Sequence, residues 1–174
     1  MSSYALHVRA FDLAAWIEAH RDELRPPVGN ARVFDDGDFI VMAVGGPNRR
    51  QDFHIDPGAE LFFQIEGDMT LRVEEGGVLS DVSIPQGSLF MLPPGVPHSP
   101  QRPEGTVGLV VERKRQAGEL DGLRWYCDKC REPVHEMFFA LVDIATQLRD
   151  AIQTWEGDPT LRTCGACGHR SDPG

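Results

Sequence analysis

The sequence predicts a mainly β protein, a sandwich or barrel of short strands, with a short helix before it and a cysteine-based metal module after it. Three observations carry that prediction. Between Asp38 and about Arg113 the chain breaks into short β-type runs, DFIVMAV, ELFFQIEG, DMTLRVEE, VLSDVSI, SLFMLPP and TVGLVVER, separated by Gly, Pro and Asp. Ahead of them, Phe11, Ala14, Ala15 and Ile17 sit among charged residues at helical spacing. Beyond Leu120 the character changes, and two C-x-x-C pairs, Cys127/Cys130 and Cys164/Cys167, flank a second helical stretch.

The first helix must end before Pro26 and Pro27, because proline lacks a backbone N–H and constrains the residue before it. It reads as a brace or lid. Many short strands with turn signals between them are the pattern of an all-β sandwich or barrel. The second helix follows from Leu141, Ile144, Ala145, Leu148, Ile152 and Trp155 recurring at helix spacing. A chain of 174 residues holds one domain of ordinary size plus at most a small module. The expected division is therefore residues 1–120, strands with their helical brace, and 121–174, a tetracysteine extension packed on them.

Composition removes several classes of function. A formal net charge of -10 argues against a general nucleic-acid or anionic-membrane binder, which needs clustered Lys and Arg. Apolar stretches such as 39–44 and 61–65 are far shorter than the roughly 20 residues that span a bilayer. Arg9, Asp12, Glu18 and Arg21 interrupt the N-terminal stretch, so no secretory signal is expected. A cytoplasmic, reducing setting follows, in which cysteine pairs hold metal rather than form disulfides. Because an acidic protein repels anions, a carboxylate substrate would need arginines at the site itself.

A lone histidine is more often a satisfied core or surface residue than a ligand, and His7, His20, His135 and His169 read that way. His54 and His98 have a different context. In H54-I-D-P-G-A-E60-L-F-F-Q-I-E-G67 a carboxylate follows a histidine by six residues, and in G87-S-L-F-M-L-P93-P-G95-V-P-H98-S-P-Q-R102 a histidine follows a Pro-Pro-Gly turn. Together these resemble the two signature motifs of the cupin superfamily, whose fold is a double-stranded β-helix barrel. Asp56 stands where that pattern has a second histidine, and Arg102 where it has asparagine. The candidate ligands are then His54, Glu60 and His98. Two imidazoles and one carboxylate leave open positions suited to non-haem Fe(II), which must bind an organic substrate and dioxygen; zinc or manganese fits the same set. Asp56 is assigned a supporting place behind the ligands.

If residues 50–54 are extended, Arg50, Asp52 and His54 share one face and Arg49, Gln51 and Phe53 the other. Glu112 shares a face with Gly108 and Val110, and a carboxylate turned inward needs a partner, for which Arg102 is the candidate. The plainer alternative makes Arg49 and Arg50 a solvated pair and Glu112 an edge-strand charge. The runs PPVGN, VGGPNRRQDFHIDPGAELFFQIEG, LPPGVPHSPQRP, VVERKR, DGLRWYCDKC and CGACG are similar to the bacterial type of 3-hydroxyanthranilate 3,4-dioxygenase over nearly the whole chain.

That resemblance implies Fe(II) on His54, Glu60 and His98, Arg50 as a catalytic and substrate-binding residue on the oxygen side, and Arg102 and Glu112 at the substrate carboxylate. It also implies contact of Glu60 with substrate, and an Asn30 loop bordering the pocket. The segment between Arg102 and Glu112 is one residue shorter than the family pattern. The implied reaction takes 3-hydroxyanthranilate and dioxygen to 2-amino-3-carboxymuconate semialdehyde, a precursor of quinolinate and NAD, in a homodimer. Two rivals stay open: an oxygenase for a related aminophenol or catechol, and a non-catalytic cupin that senses a small aromatic carboxylate.

Cys127, Cys130, Cys164 and Cys167 suit a closed tetrahedral site, structural because it has no free coordination position. CGACG has the glycine of a rubredoxin-like knuckle, which implies iron. Arg131 replaces that glycine in the first knuckle, so zinc stays open.

Overall fold

The computed structural model describes residues 10–26, 29–34, 37–48, 50–142 and 144–173, without the side chains of 144 and 145. His7, Arg9, Pro27 and Arg49 lie outside the described residues, as do the side chains of Ile144 and Ala145. The described residues are mainly β, with eleven strands in two sheets. Helix α1 (Leu13–Ala19) starts at Asp12, whose carboxylate accepts from the Ala15 N–H at 2.9 Å. It buries Ile17 against Leu24, Ala31, Ala43 and Val107, and so braces the strands as expected.

The strands are β1 (Asn30–Phe34), β2 (Phe39–Gly45), β3 (Phe53–Ile55), β4 (Glu60–Glu66), β5 (Met69–Glu75) and β6 (Val78–Ile84). They continue with β7 (Leu89–Leu92), β8 (His98–Gln101), β9 (Val107–Arg113), β10 (Asp121–Tyr126) and β11 (Pro133–Phe139). They form one sheet in the order β1-β2-β9-β4-β7 and a second in the order β11-β10-β3-β8-β5-β6. Between the sheets lies the core: Met42, Phe62, Leu92 and Val110 from the first meet Met69, Leu71, Val73 and Ile84 from the second.

The six β-type runs in the sequence correspond to β2, β4, β5, β6, β7 and β9. Those left unpredicted include β3 and β8, of three and four residues, too short for alternation to register, and β8 carries Pro100. Beyond residue 120 the chain continues the second sheet, because β10 pairs with β3. Helix α2 (Ile144–Gly157) then lays Leu148, Ala151, Ile152 and Trp155 on Leu123, Trp125, Met137 and Phe139. Among the described residues, no helix is long and apolar enough to cross a membrane.

Candidate metal centre and its arginines

The pairing of β3 with β8 sets His54 directly opposite His98, and Glu60 reaches them from the first residue of β4 in the other sheet. The site therefore sits between the sheets. Glu60 Oε1 lies 3.0 Å from His98 Nε2 and 3.9 Å from His54 Nδ1, and none of the three side chains exceeds 5 % exposure. Metal–ligand bonds of about 2.0 to 2.2 Å separate neighbouring donors by roughly 3 to 3.5 Å, so the Glu60–His98 spacing suits a shared ion and His54 Nδ1 lies a little beyond it. The other nitrogens are occupied: His98 Nδ1 is 3.0 Å from the Val96 carbonyl and His54 Nε2 is 2.8 Å from Asp121 Oδ2. Glu60 Oε1 is buried with no hydrogen bond of good geometry, as a ligand oxygen awaiting a cation would be. Burial works against its charge, but His98 and then His54 outweigh that and hold it below the ordinary carboxylate range.

Asp56 lies close to Glu60 and Glu112. Its Oδ1 accepts from the Gly58 N–H at 2.6 Å and its Oδ2 faces Arg115 at 2.9 Å, so it ties the β3–β4 turn to the loop after β9. His20 is satisfied by the Trp16 carbonyl at 2.8 Å, and His135 lies against Trp125, as lone histidines were expected to be.

The expected Arg102–Glu112 pair does not form. Glu112 lies opposite Glu60, and its cationic neighbour is Arg115 at 3.3 Å. Arg102 instead donates through Nη1 to Gln64 Oε1 at 3.0 Å, with its guanidinium over Gly108, where a Cβ would come within 2.7 Å of Nη1. Gly108 is four strand residues from Glu112, about 13 Å along β9, which is why the two charges do not meet. Burial, then the charge of Glu60, pushes Glu112 up to about 8.

Arg102 is 2 % exposed, its Nε has no hydrogen-bond partner among the described residues, and burial alone lowers its pKa to about 10. It stays cationic at neutral pH with no carboxylate paired to it among the described residues. Its backbone is clamped from both sides by Asn48, whose Oδ1 accepts from the Arg102 N–H at 2.8 Å and whose N–H donates to the Arg102 carbonyl at 3.0 Å. Arg50 does share a face with Asp52 and His54, and Asp52 neutralises it through an ion pair. Asn30, at the start of β1 opposite Val44, makes no side-chain hydrogen bond to the three ligands among the described residues.

Three interior layers follow from the register of β4, β9 and β2. Glu60 and Glu112 form the first, with Ile40; Phe62, Val110 and Met42 the second; Gln64, Gly108 and Val44 the third, where Arg102 joins. An acidic metal-binding end and a cationic end are thus separated by an apolar band. Missing from the sequence reading were Arg115, Asp121 and Gln64. Alternation in DGLRWY could have found Asp121, which shares its buried face with Leu123 and Trp125.

The four cysteines converge, all unpaired, with Cys127 Sγ to Cys167 Sγ and Cys130 Sγ to Cys164 Sγ each 3.6 Å. The two knuckles are twins. Arg131 N–H donates to the Cys127 carbonyl and Gly168 N–H to the Cys164 carbonyl, both at 2.9 Å, and Arg131 (φ 67°) copies the left-handed backbone of Gly168 (φ 72°). That conformation costs a non-glycine residue roughly 1 to 2 kcal/mol. Arg131→Gly is accordingly expected to raise unfolding free energy by about 1 kcal/mol in denaturant titration. A decrease would show that the Arg131 side chain contributes more than its backbone costs.

Residues 5–156 match the family model described as 3-hydroxyanthranilic acid dioxygenase. The chain is 51% identical over 158 residues to the 3-hydroxyanthranilate 3,4-dioxygenase of Xanthomonas euvesicatoria pv. vesicatoria, covering 91% of this chain and 89% of that one. To the protein of the same name from Bacillus thuringiensis it is 43% identical over 163 residues, 93% and 91% of the two chains. Among solved structures, a cupin-2 domain containing protein from Shewanella frigidimarina aligns with a TM-score of 0.43 at 16% identity, over 49% of this chain and 79% of that one.

Proposed function

The chain belongs to the 3-hydroxyanthranilic acid dioxygenase family, and on that footing we propose that His54, Glu60 and His98 hold the Fe(II) at which it opens the ring of 3-hydroxyanthranilate. Both atoms of dioxygen enter the product, 2-amino-3-carboxymuconate semialdehyde. When bound, the metal supplies Lewis acidity and open positions that bring the two reactants together.

The observation that carries the substrate assignment is the lone cation of Arg102, buried beside a neutral amide in a protein of net charge -10. A buried charge without a counter-ion is costly unless a ligand supplies one, and a carboxylate takes a guanidinium in two parallel hydrogen bonds. Arg102 is therefore assigned to the substrate carboxylate. Glu60 and Glu112 line the end where the ring hydroxyl and amine arrive. Arg50, already neutralised by Asp52, is poised to stabilise charge on the oxygen side rather than to bind the carboxylate. Asn30 borders the pocket mouth.

Arg102→Ala tests this reading. A hydrogen bond to a charged group contributes about 1.5 to 3 kcal/mol, so catalytic efficiency toward 3-hydroxyanthranilate should fall on the order of 10- to 150-fold with iron retained. 2-Aminophenol keeps the chelating pair and lacks the carboxylate, so the variant should lose most of the preference between the two substrates. An unchanged preference would move the anchor away from Arg102.

The four-cysteine site holds iron or zinc in a structural role, which the closed set of thiolates supports. A reducing cytoplasm suits those free thiols. Leu89 and Met91, exposed on the edge strand β7, suit the interface of a homodimer.

A further inference from the structure

His54 and His98 are held toward the metal by different means. His98 Nδ1 meets the main-chain carbonyl of Val96, which no side-chain substitution removes. His54 Nε2 meets Asp121 Oδ2 at 2.8 Å, and Asp121 is completely buried. A neutral imidazole has one N–H and one lone pair, and a metal takes the lone pair, so whatever the other nitrogen bonds to decides which nitrogen can ligate.

Asp121 is itself clamped. Arg115 donates to it through two parallel contacts, Nε to Oδ1 at 2.7 Å and Nη2 to Oδ2 at 2.6 Å. Arg115 is fixed in turn by the Arg113 carbonyl at 3.1 Å and by Asp56 at 2.9 Å, with Glu112 at 3.3 Å. A carboxylate in that fork can only accept, so Nε2 carries the proton and Nδ1, on the Glu60 side, keeps its lone pair. The register explains how Asp121 arrives there: Leu123 pairs with His54 across β10 and β3, and Asp121 lies two residues along on the same face.

We propose that Asp121, clamped by Arg115, is the positioning residue that fixes the tautomer and ring orientation of His54 for metal binding. The proposal rests on the reading of His54, Glu60 and His98 as metal ligands. Arg115 also brings its cation to three buried carboxylates, Asp56, Glu112 and Asp121, around Glu60. In Asp121→Asn the amide can turn its NH2 toward Nε2, which drives the proton to Nδ1 and blocks ligation.

The test is Fe(II) affinity, measured anaerobically by chelator competition on full-length protein with the cysteine site loaded. Losing an outer partner of a ligating histidine weakens binding by about 10- to 100-fold, and Asp121→Asn is expected in that range with Asp121→Glu recovering part of it. Cysteine-bound metal and the melting transition report that the variants are folded. In the metal-free wild type, long-range 1H–15N correlation should find the His54 proton on Nε2, a readout that needs no variant. A proton on Nδ1, or a folded Asp121→Asn with wild-type affinity, overturns the proposal alone. A wild type that takes up no metal beyond the cysteine site overturns the ligand assignment and this proposal together.

Discussion

His98→Ala is expected to abolish ring opening and to remove the metal of the His–Glu site while leaving the cysteine-bound metal in place. His98 supplies one of three protein ligands, and it is the one closest to Glu60, at 3.0 Å. Losing a mere outer partner costs about 10- to 100-fold in metal affinity, so losing a ligand should exceed 100-fold. Glu60 suffers as well. Its charge is kept, against burial, by His98 before any other neighbour, so the variant leaves a buried carboxylate with less support. Metal analysis of the purified variant should show the cysteine site filled and the other empty. Full iron content together with full activity would remove this site from the chemistry.

Cys164→Ser is expected to be the most destabilising single change. A structural zinc-type site contributes about 10 to 16 kcal/mol of apparent binding energy, comparable with or larger than the 5 to 15 kcal/mol net stability of a typical domain. Cys164 is 1% exposed, and its backbone N–H is bonded to the His169 carbonyl at 2.8 Å, so serine disrupts a closed and packed knuckle. A loss of about 5 kcal/mol would lower the melting temperature by about 10 to 20 °C for a chain of this size, and much of the protein should be insoluble. The soluble remainder should keep turnover, since the other knuckle only adjoins β10. A fully folded variant without turnover would instead place the cysteine metal in the reaction.

How far the sequence could be read depended on the length of its signals. Runs such as Met69–Glu75 and Val78–Ile84 are long enough for alternation to declare a strand, whereas His98–Gln101 is not, although it carries a ligand. His54, Glu60 and His98 could still be grouped because motif spacing substitutes for periodicity, and the structure brings these residues together. The partnership of Glu112 could not be read. Arg102, ten residues before Glu112, and Arg115, three after it, both bear the charge a buried carboxylate needs; only the β4–β9 register, with Gln64 opposite Gly108, puts Arg102 at the far end of the interior. Asp121 was hidden for a related reason, because its role depends on β10 lying beside β3, a pairing between segments 67 residues apart at His54 and Asp121. Arg131 shows the opposite case, in which departure from a glycine pattern left zinc open beside iron and the backbone kept the glycine conformation all the same.

Dioxygen consumption by the Fe(II)-reconstituted wild type, followed with an oxygen electrode on adding 3-hydroxyanthranilate anaerobically equilibrated beforehand, tests the central claim most directly. One dioxygen should disappear for each ring opened, with none consumed by the metal-stripped protein. Saturable binding of 3-hydroxyanthranilate with no dioxygen uptake would contradict it, and would make this chain a metal-dependent sensor of an aromatic carboxylate instead of an oxygenase.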